Sequence, residues 1–259
     1  MITSTLVSYR LAASDLDTTL QRVSEQSIVS REVEYYLENI GDVKSIDDFL
    51  GDSRLFSFAM KAHGLEDMNY AKAFMRKVLE EGIDSDDSFA NSLTDNRYAD
   101  FAKTFDFKSF DAATTSFTKT QQGTVDKYVR QTLEEQAGAD NEGVRLALYF
   151  ERKAEGIDTF YEILADPALA QVVRTTLGLP DAVATIDIDK QVEMISDRLD
   201  LETFRDPDAL SELLNRFAAL WDVNRGLDQA SNSLIGLFGG TGQVGISQDL
   251  LLQISQLRR

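Results

Sequence analysis

The sequence predicts an all-α protein in which a duplicated multi-helix unit forms two related helical lobes. Three observations predict it. First, the stretch 33–67 reappears without a gap at 147–181, with seven of the 35 aligned positions identical: Tyr35/Tyr149, Leu50/Leu164, Asp52/Asp166, Leu55/Leu169, Gly64/Gly178, Leu65/Leu179 and Asp67/Asp181. Chance would give about two, and what recurs is folding information, namely apolar positions, helix-start aspartates and a helix-stop glycine. Second, apolar residues recur in steps of three and four over most of the chain, whereas strand-like alternation is nearly absent, with Ala184–Ile188 the one weak candidate. Third, the three prolines sit where helices tolerate them. Pro167 and Pro207 follow Asp166 and Asp206 and take first helical positions, while Pro180 lies just beyond Gly178, a helix-stop residue.

Taken in chain order, a long helix is expected over Asp15–Ile40. A motif then recurs in four places, in which an apolar residue closes one helix and an N-cap aspartate opens the next: Leu50–Leu55, Leu93–Tyr98, Leu164–Leu169 and Phe204–Ala209, with Asp52, Asp95, Asp166 and Asp206 as the caps. Each carboxylate accepts bonds from otherwise unpaired amides and opposes the positive helix end, which contributes about 1 kcal/mol per cap. Over Asp67–Glu81 the residues Tyr70, Ala71, Phe74, Val78 and Leu79 form an apolar stripe, and Leu210, Leu213, Leu214, Phe217 and Leu220 form another. A second long helix is expected over Thr124–Gly156, broken near Gly138–Asn141. The resulting division is an N-terminal segment 1–19, a first helical repeat 20–125, a second 126–225 and a glycine-hinged tail 226–259.

Composition narrows the function classes. The 259 residues, 43% of them hydrophobic, suffice for a packed core. A net charge of −18, with Lys and Arg scattered, argues against nucleic acid and anionic membranes as partners. The absence of cysteine removes disulfides and thiolate chemistry. The start MITSTLVSYRLAASDLDTTL lacks a basic start and a sustained apolar run, and no stretch approaches a membrane span. A cytoplasmic location, or export without a cleaved signal, is expected, with no membrane insertion.

Candidate reactive groups each meet a plainer reading. His63, the single histidine, precedes Gly64 and is expected to pack at a helix C-terminus, as Leu177 does before Gly178. The acidic turn Asp84, Asp86, Asp87 fails as a calcium loop, because Phe89 stands where glycine is needed and Asp95 where a bidentate glutamate is needed. Gly240, Gly242 and Gly245 match the spacing of a dinucleotide fingerprint, but too little chain follows, and they read as a hinge. The adjacent acids Asp47–Asp48, Glu80–Glu81 and Glu134–Glu135 read as solvated surface. Trp221 and the cluster Phe101, Phe105, Phe107 and Phe110 read as core. Beyond the hinge, Ile246, Leu250, Ile254 and Leu257 fall on one helical face, which either folds back or binds another chain. They are the candidate partner-binding residues. No catalytic, cofactor-binding or metal-ligating residue is expected.

The opening MITSTLVSYRLA, the helix VSREVEYYLENI and the repeated FLGDSRLFSFAMKAHGL and ILADPALAQVVRTTLGL resemble an uncharacterised bacterial family, domain of unknown function 1217. The resemblance spans about residues 1–225. Its motifs are structural and carry over no site residue. The family is known from alphaproteobacteria, often among flagellar genes, so the resemblance implies a role in flagellar assembly or export. The expected function is a non-enzymatic, acidic helical protein that binds other protein subunits. The alternatives are a small-ligand-binding module with a pocket between the lobes, and an acidic-site hydrolase.

Overall fold

A computed structural model describes residues 4–238, with side chains described as far as Gly226. The helices are α1 Thr5–Ala13, α2 Leu16–Ser24, α3 Ser27–Asn39, α4 Ile46–Gly51, α5 Ser53–Ala62, α6 Lys72–Glu81 and α7 Phe89–Ser92. They continue with α8 Arg97–Thr104, α9 Phe107–Phe110, α10 Gln122–Asp140, α11 Glu142–Ala154, α12 Phe160–Ala165, α13 Pro167–Leu177, α14 Ile188–Ser196 and α15 Pro207–Phe238. Among the described residues no strand occurs. The all-α prediction therefore holds. Ala184–Ile188, the weak strand candidate, instead closes a 3₁₀ turn over Asp181–Thr185 and enters α14, whose start Asp187 caps.

The two matching stretches share several helix starts and a helix stop. Ser45 accepts a bond from the Asp48 amide and Thr159 from the Glu162 amide, which start α4 and α12. Asp52 accepts from the amides of Arg54 and Leu55, and Asp166 from those of Ala168 and Leu169, so one carboxylate opens α5 and its counterpart α13. The conserved tyrosine of each stretch holds that carboxylate from the preceding long helix: Tyr35 Oη donates to Asp52 at 2.7 Å and Tyr149 Oη to Asp166 at 2.5 Å. Gly64 and Gly178 both have positive φ, +70° and +65°, which a glycine adopts without steric cost. There the Leu65 amide returns to Met60 O at 2.8 Å and the Leu179 amide to Arg174 O at 2.9 Å. Asp206 likewise opens α15 by accepting from the amides of Asp208 and Ala209. Replacing Asp166 by Ala is expected to cost about 1 kcal/mol. The urea midpoint checks it, and Asp52→Ala should match it to within about half a kcal/mol.

The expected boundary at 125/126 falls inside α10, which spans Gln122–Asp140. α10 packs against α2 and α5 on its N-terminal side of the chain and against α11 on the other, so it contacts a helix of each stretch. The chain divides instead after Trp221, a few residues before the expected tail. The unit that begins at Asp222 is helical as far as Phe238.

Two further expectations change. The helix over Asp15–Ile40 breaks at Glu25 and Gln26, where Gln26 is extended (φ −62°, ψ 133°), and α2 then packs mainly on α10 and α3 mainly on α5. In the stripe over Asp67–Glu81, Tyr70 is 82% exposed. A 3₁₀ turn over Glu66–Met68 precedes α6 there, so Tyr70 lies before the first helical turn and out of phase with the buried Met75, Val78 and Leu79. The second long helix breaks as expected, at Asn141, whose side chain caps α11 through the Gly143 amide.

The core is aromatic at one end. Phe49 is fully buried among Phe56, Phe101, Phe105 and Phe107, with ring centroids 4.7 to 6.3 Å apart. Phe110 is the member of the predicted cluster that leaves it, half-exposed against Phe117.

Candidate functional site

The polar groups of this fold collect in a seam where α5, α8, α10 and α11 meet. Helices bring them together because polar residues at helical spacing on α10 face two neighbours: Lys127 and Glu135 toward α5, and Arg130, Gln131 and Glu134 toward α11.

His63 sits at one end of the seam, at the C-terminus of α5 as its sequence position predicts. Its Nδ1 lies 2.9 Å from Ala59 O, and its Nε2 lies 3.0 Å from Lys127 Nζ and 3.2 Å from Thr104 Oγ1. A carbonyl only accepts, so Nδ1 carries the proton and Nε2 is the acceptor for the lysine. Burial, reinforced by the Lys127 charge, pushes the imidazole from 6.5 down to about 3. The imidazole is therefore neutral, and the favourable charge–dipole contact open to a protonated ring is not used. As pH falls the unfolded chain takes up this proton first, so the stability contributed by neutral His63 is fully present above about 6.5 and is lost as pH falls toward 3. Since His63 is the single histidine, its ring resonances need no assignment by mutation. In the folded protein they are expected to stay constant from pH 8 to pH 5; a midpoint near 6.5 would contradict this geometry.

At the other end lies an ionic cluster. The Glu134 side chain is 2% exposed and takes both Arg152 Nε at 2.7 Å and Arg152 Nη2 at 2.8 Å, with Arg130 Nε at 3.2 Å. Arg130 Nη2 donates to Leu148 O at 2.8 Å and faces Glu151 at 3.6 Å, too long for a hydrogen bond. Burial raises the Glu151 carboxyl above its ordinary range. Burial disfavours the Arg152 charge, but Glu134 more than offsets it and the guanidinium is held above its usual value. The reading of Glu134–Glu135 as solvated surface thus fails at Glu134, and holds in part at Glu135, which pairs with Lys61 at 2.7 Å. Between the two ends Gln131 accepts from Arg152 at 3.3 Å, and Arg97 holds Asp95 and reaches the Gly64 carbonyl. Asp95 therefore serves Arg97 more than a helix start, although it also accepts from the Arg97 amide at 3.0 Å.

Burial lowers the Lys127 pKa; Lys153, Arg152 and Lys103 add to the shift and Asp100 opposes it. The acidic turn at Asp84–Asp87 gathers no metal-binding set, and no such set occurs among the described residues. A shallow depression of about 520 Å³ opens beside Phe160, Arg198 and Leu201, between the start of α12 and the turn that follows α14. Among the described residues no helix is long and apolar enough to cross a membrane. Ile246, Leu250, Ile254 and Leu257, and the hinge Gly240–Gly245, lie outside the described residues.

The family model described as "Protein of unknown function (DUF1217)" matches residues 62–210, which contain the seam from His63 onward but not Ala59 or Lys61. The crystal structure of a protein from Agrobacterium tumefaciens, solved in a structural-genomics programme, is similar to this chain at 50% identity and a TM-score of 0.79, covering 86% of this chain and 97% of that one. Among curated proteins none matches.

Proposed function

The chain belongs to the family of proteins of unknown function DUF1217, and from that premise we propose that it is a non-enzymatic helical protein that binds other protein subunits. The observation that carries this reading is on α1. Val7 and Leu11 stand one helical turn apart on one face, 65% and 75% exposed. The rest of the helix is anchored: Tyr9 is buried, Arg10 Nε donates to Asn215 at 2.8 Å, and Thr5 and Asn141 hydrogen-bond each other. A rigidly held helix with an apolar edge in solvent suits helix-face docking, and covering two such side chains contributes roughly 1.5–3 kcal/mol each. We propose the sequence stripe Ile246, Leu250, Ile254 and Leu257, which lies outside the described residues, as a second partner-binding segment. The role extends to flagellar assembly or export, as the family resemblance implies.

Affinity capture from the native cell tests the reading, with the wild-type chain, a Val7→Ser/Leu11→Ser variant and a chain ended after residue 239 as baits. A partner held by the wild type and lost with one of the variants supports it. The same set of proteins on all three baits contradicts it.

A further inference from the structure

The helix α15 runs from Pro207 to Phe238, but the first unit ends within it, at Trp221. Before that point its apolar residues are core: Leu213, Leu214, Phe217 and Ala218 are buried. Beyond it residues 222–238 continue as helix, about 25 Å long at 1.5 Å per residue, and Val223 near their start is 56% exposed. Intrinsic propensity does not hold this stretch. Asn224, Gly226, Ser231, Asn232, Ser233 and Gly236 are poor helix formers, and a helix of this length is marginal in water without a face to bury.

The sequence supplies such a face. Val223, Leu227, Ala230, Leu234 and Leu237 follow one another in steps of four, three, four and three, the alternation that keeps a narrow apolar seam along one side of a helix for a single partner helix. Phe238 borders the end of this seam, and Ile235 is the apolar residue of the stretch that falls outside it. The positions that flank the seam are Asn224, Gly226, Ser231 and Ser233, none of them charged. The charged residues Asp222, Arg225 and Asp228 occupy the remaining positions of the repeat.

We propose that residues 223–237 of α15 form a two-stranded coiled coil with the same segment of a second copy of this chain. Two chains of net charge −18 repel each other, so a seam they share has to be free of charge along its edges, as this one is. An unlike partner helix is selected by Lys and Glu at the flanking positions, and the four residues there offer it nothing to read. The seam spans little more than two heptads, so the dimer is reversible and its population rises with protein concentration. It does not depend on the docking face of α1. It is read on the purified chain alone, so its failure leaves the partner capture described above untouched, and the reverse.

Sedimentation equilibrium of the full chain over a concentration series tests the pairing. The weight-average mass is expected to rise from 28.9 kDa toward twice that value. Leu234→Glu should weaken the association about tenfold or more, and Leu227→Glu likewise, whereas Asn232→Glu, which adds the same charge outside the seam and its flanks, should stay within severalfold of wild type. A chain ended after residue 239 keeps all of α15 and should still pair. A mass of 28.9 kDa at every concentration would overturn the proposal. So would equal weakening by Asn232→Glu and Leu234→Glu, or loss of the dimer on ending the chain after residue 239, which would make the segment beyond the hinge the partner.

Discussion

Replacing Glu134 by Ala is expected to destabilise the protein by about 3–5 kcal/mol, one of the two largest effects a single change produces here. The carboxylate bridges two guanidinium groups in a place where its own side chain is 2% exposed and that of Arg130 is 9% exposed. Removing it leaves Arg130 with one carbonyl and a carboxylate at 3.6 Å, and Arg152 with Gln131. The loss comes from stranding buried charge, not from the intrinsic strength of the pair, since desolvation cancels much of a buried ion pair's attraction. That distinction gives a second expectation: the triple change Arg130→Met/Glu134→Leu/Arg152→Met should recover most of the stability lost by Glu134→Ala. Urea denaturation measures both. A Glu134→Ala midpoint within about 0.5 kcal/mol of wild type would show the cluster to be solvated after all.

Replacing Gly143 by Val is the other. Gly143 lies in the first turn of α11, and its conformation is ordinary for a helix, so backbone freedom is not why glycine stands there. Space is. A Cβ at this position would run into Trp221 Cδ1, and would lie 2.6 Å from Trp221 Nε1 and 2.7 Å from Thr5 Cγ2. The indole and the threonine methyl come from opposite ends of the first unit, and both rest on the bare α-carbon. Overpacking of this kind costs typically about 1–3 kcal/mol, and more where two neighbours must move at once. Val adds two methyl groups beyond the Cβ and is expected at or above the top of that range, with Ala below it. Thermal unfolding followed by the fluorescence of Trp221, the single tryptophan, reads both stability and repacking. A Gly143→Val protein with wild-type stability and unchanged emission would contradict the packing.

The helices and their ends were legible in the sequence because local chemistry decides them. Asp52 and Asp166 cap where the motif places them, Gly64 and Gly178 stop helices with positive φ, and Asn141 breaks the long segment. The sequence misled where tertiary packing decides. Nothing local marks Gln26 as extended, since neither proline nor glycine interrupts there; the break follows from α2 and α3 meeting different neighbours. Tyr70 fits the apolar period yet lies before its helix. The seam was hidden for the same reason. Glu134 looks like any surface acid until Arg152, eighteen positions on, is folded against it, and Lys127 gains its place beside His63 from a residue 64 positions away. The boundary expected at 125 lies within α10, because repetition in sequence marks where a module recurs and not where a helix linking the copies begins; α10 contacts both α5 and α11.

Hydrogen exchange on the full-length chain across a urea series tests this shared-helix architecture most directly. If α10 welds the two stretches into one cooperative body, the slow amides of α5, α10 and α13 lose protection together, at a common urea concentration. Loss of protection in α5 at a distinctly different urea concentration from α13 would mean two lobes that unfold on their own, and would contradict it.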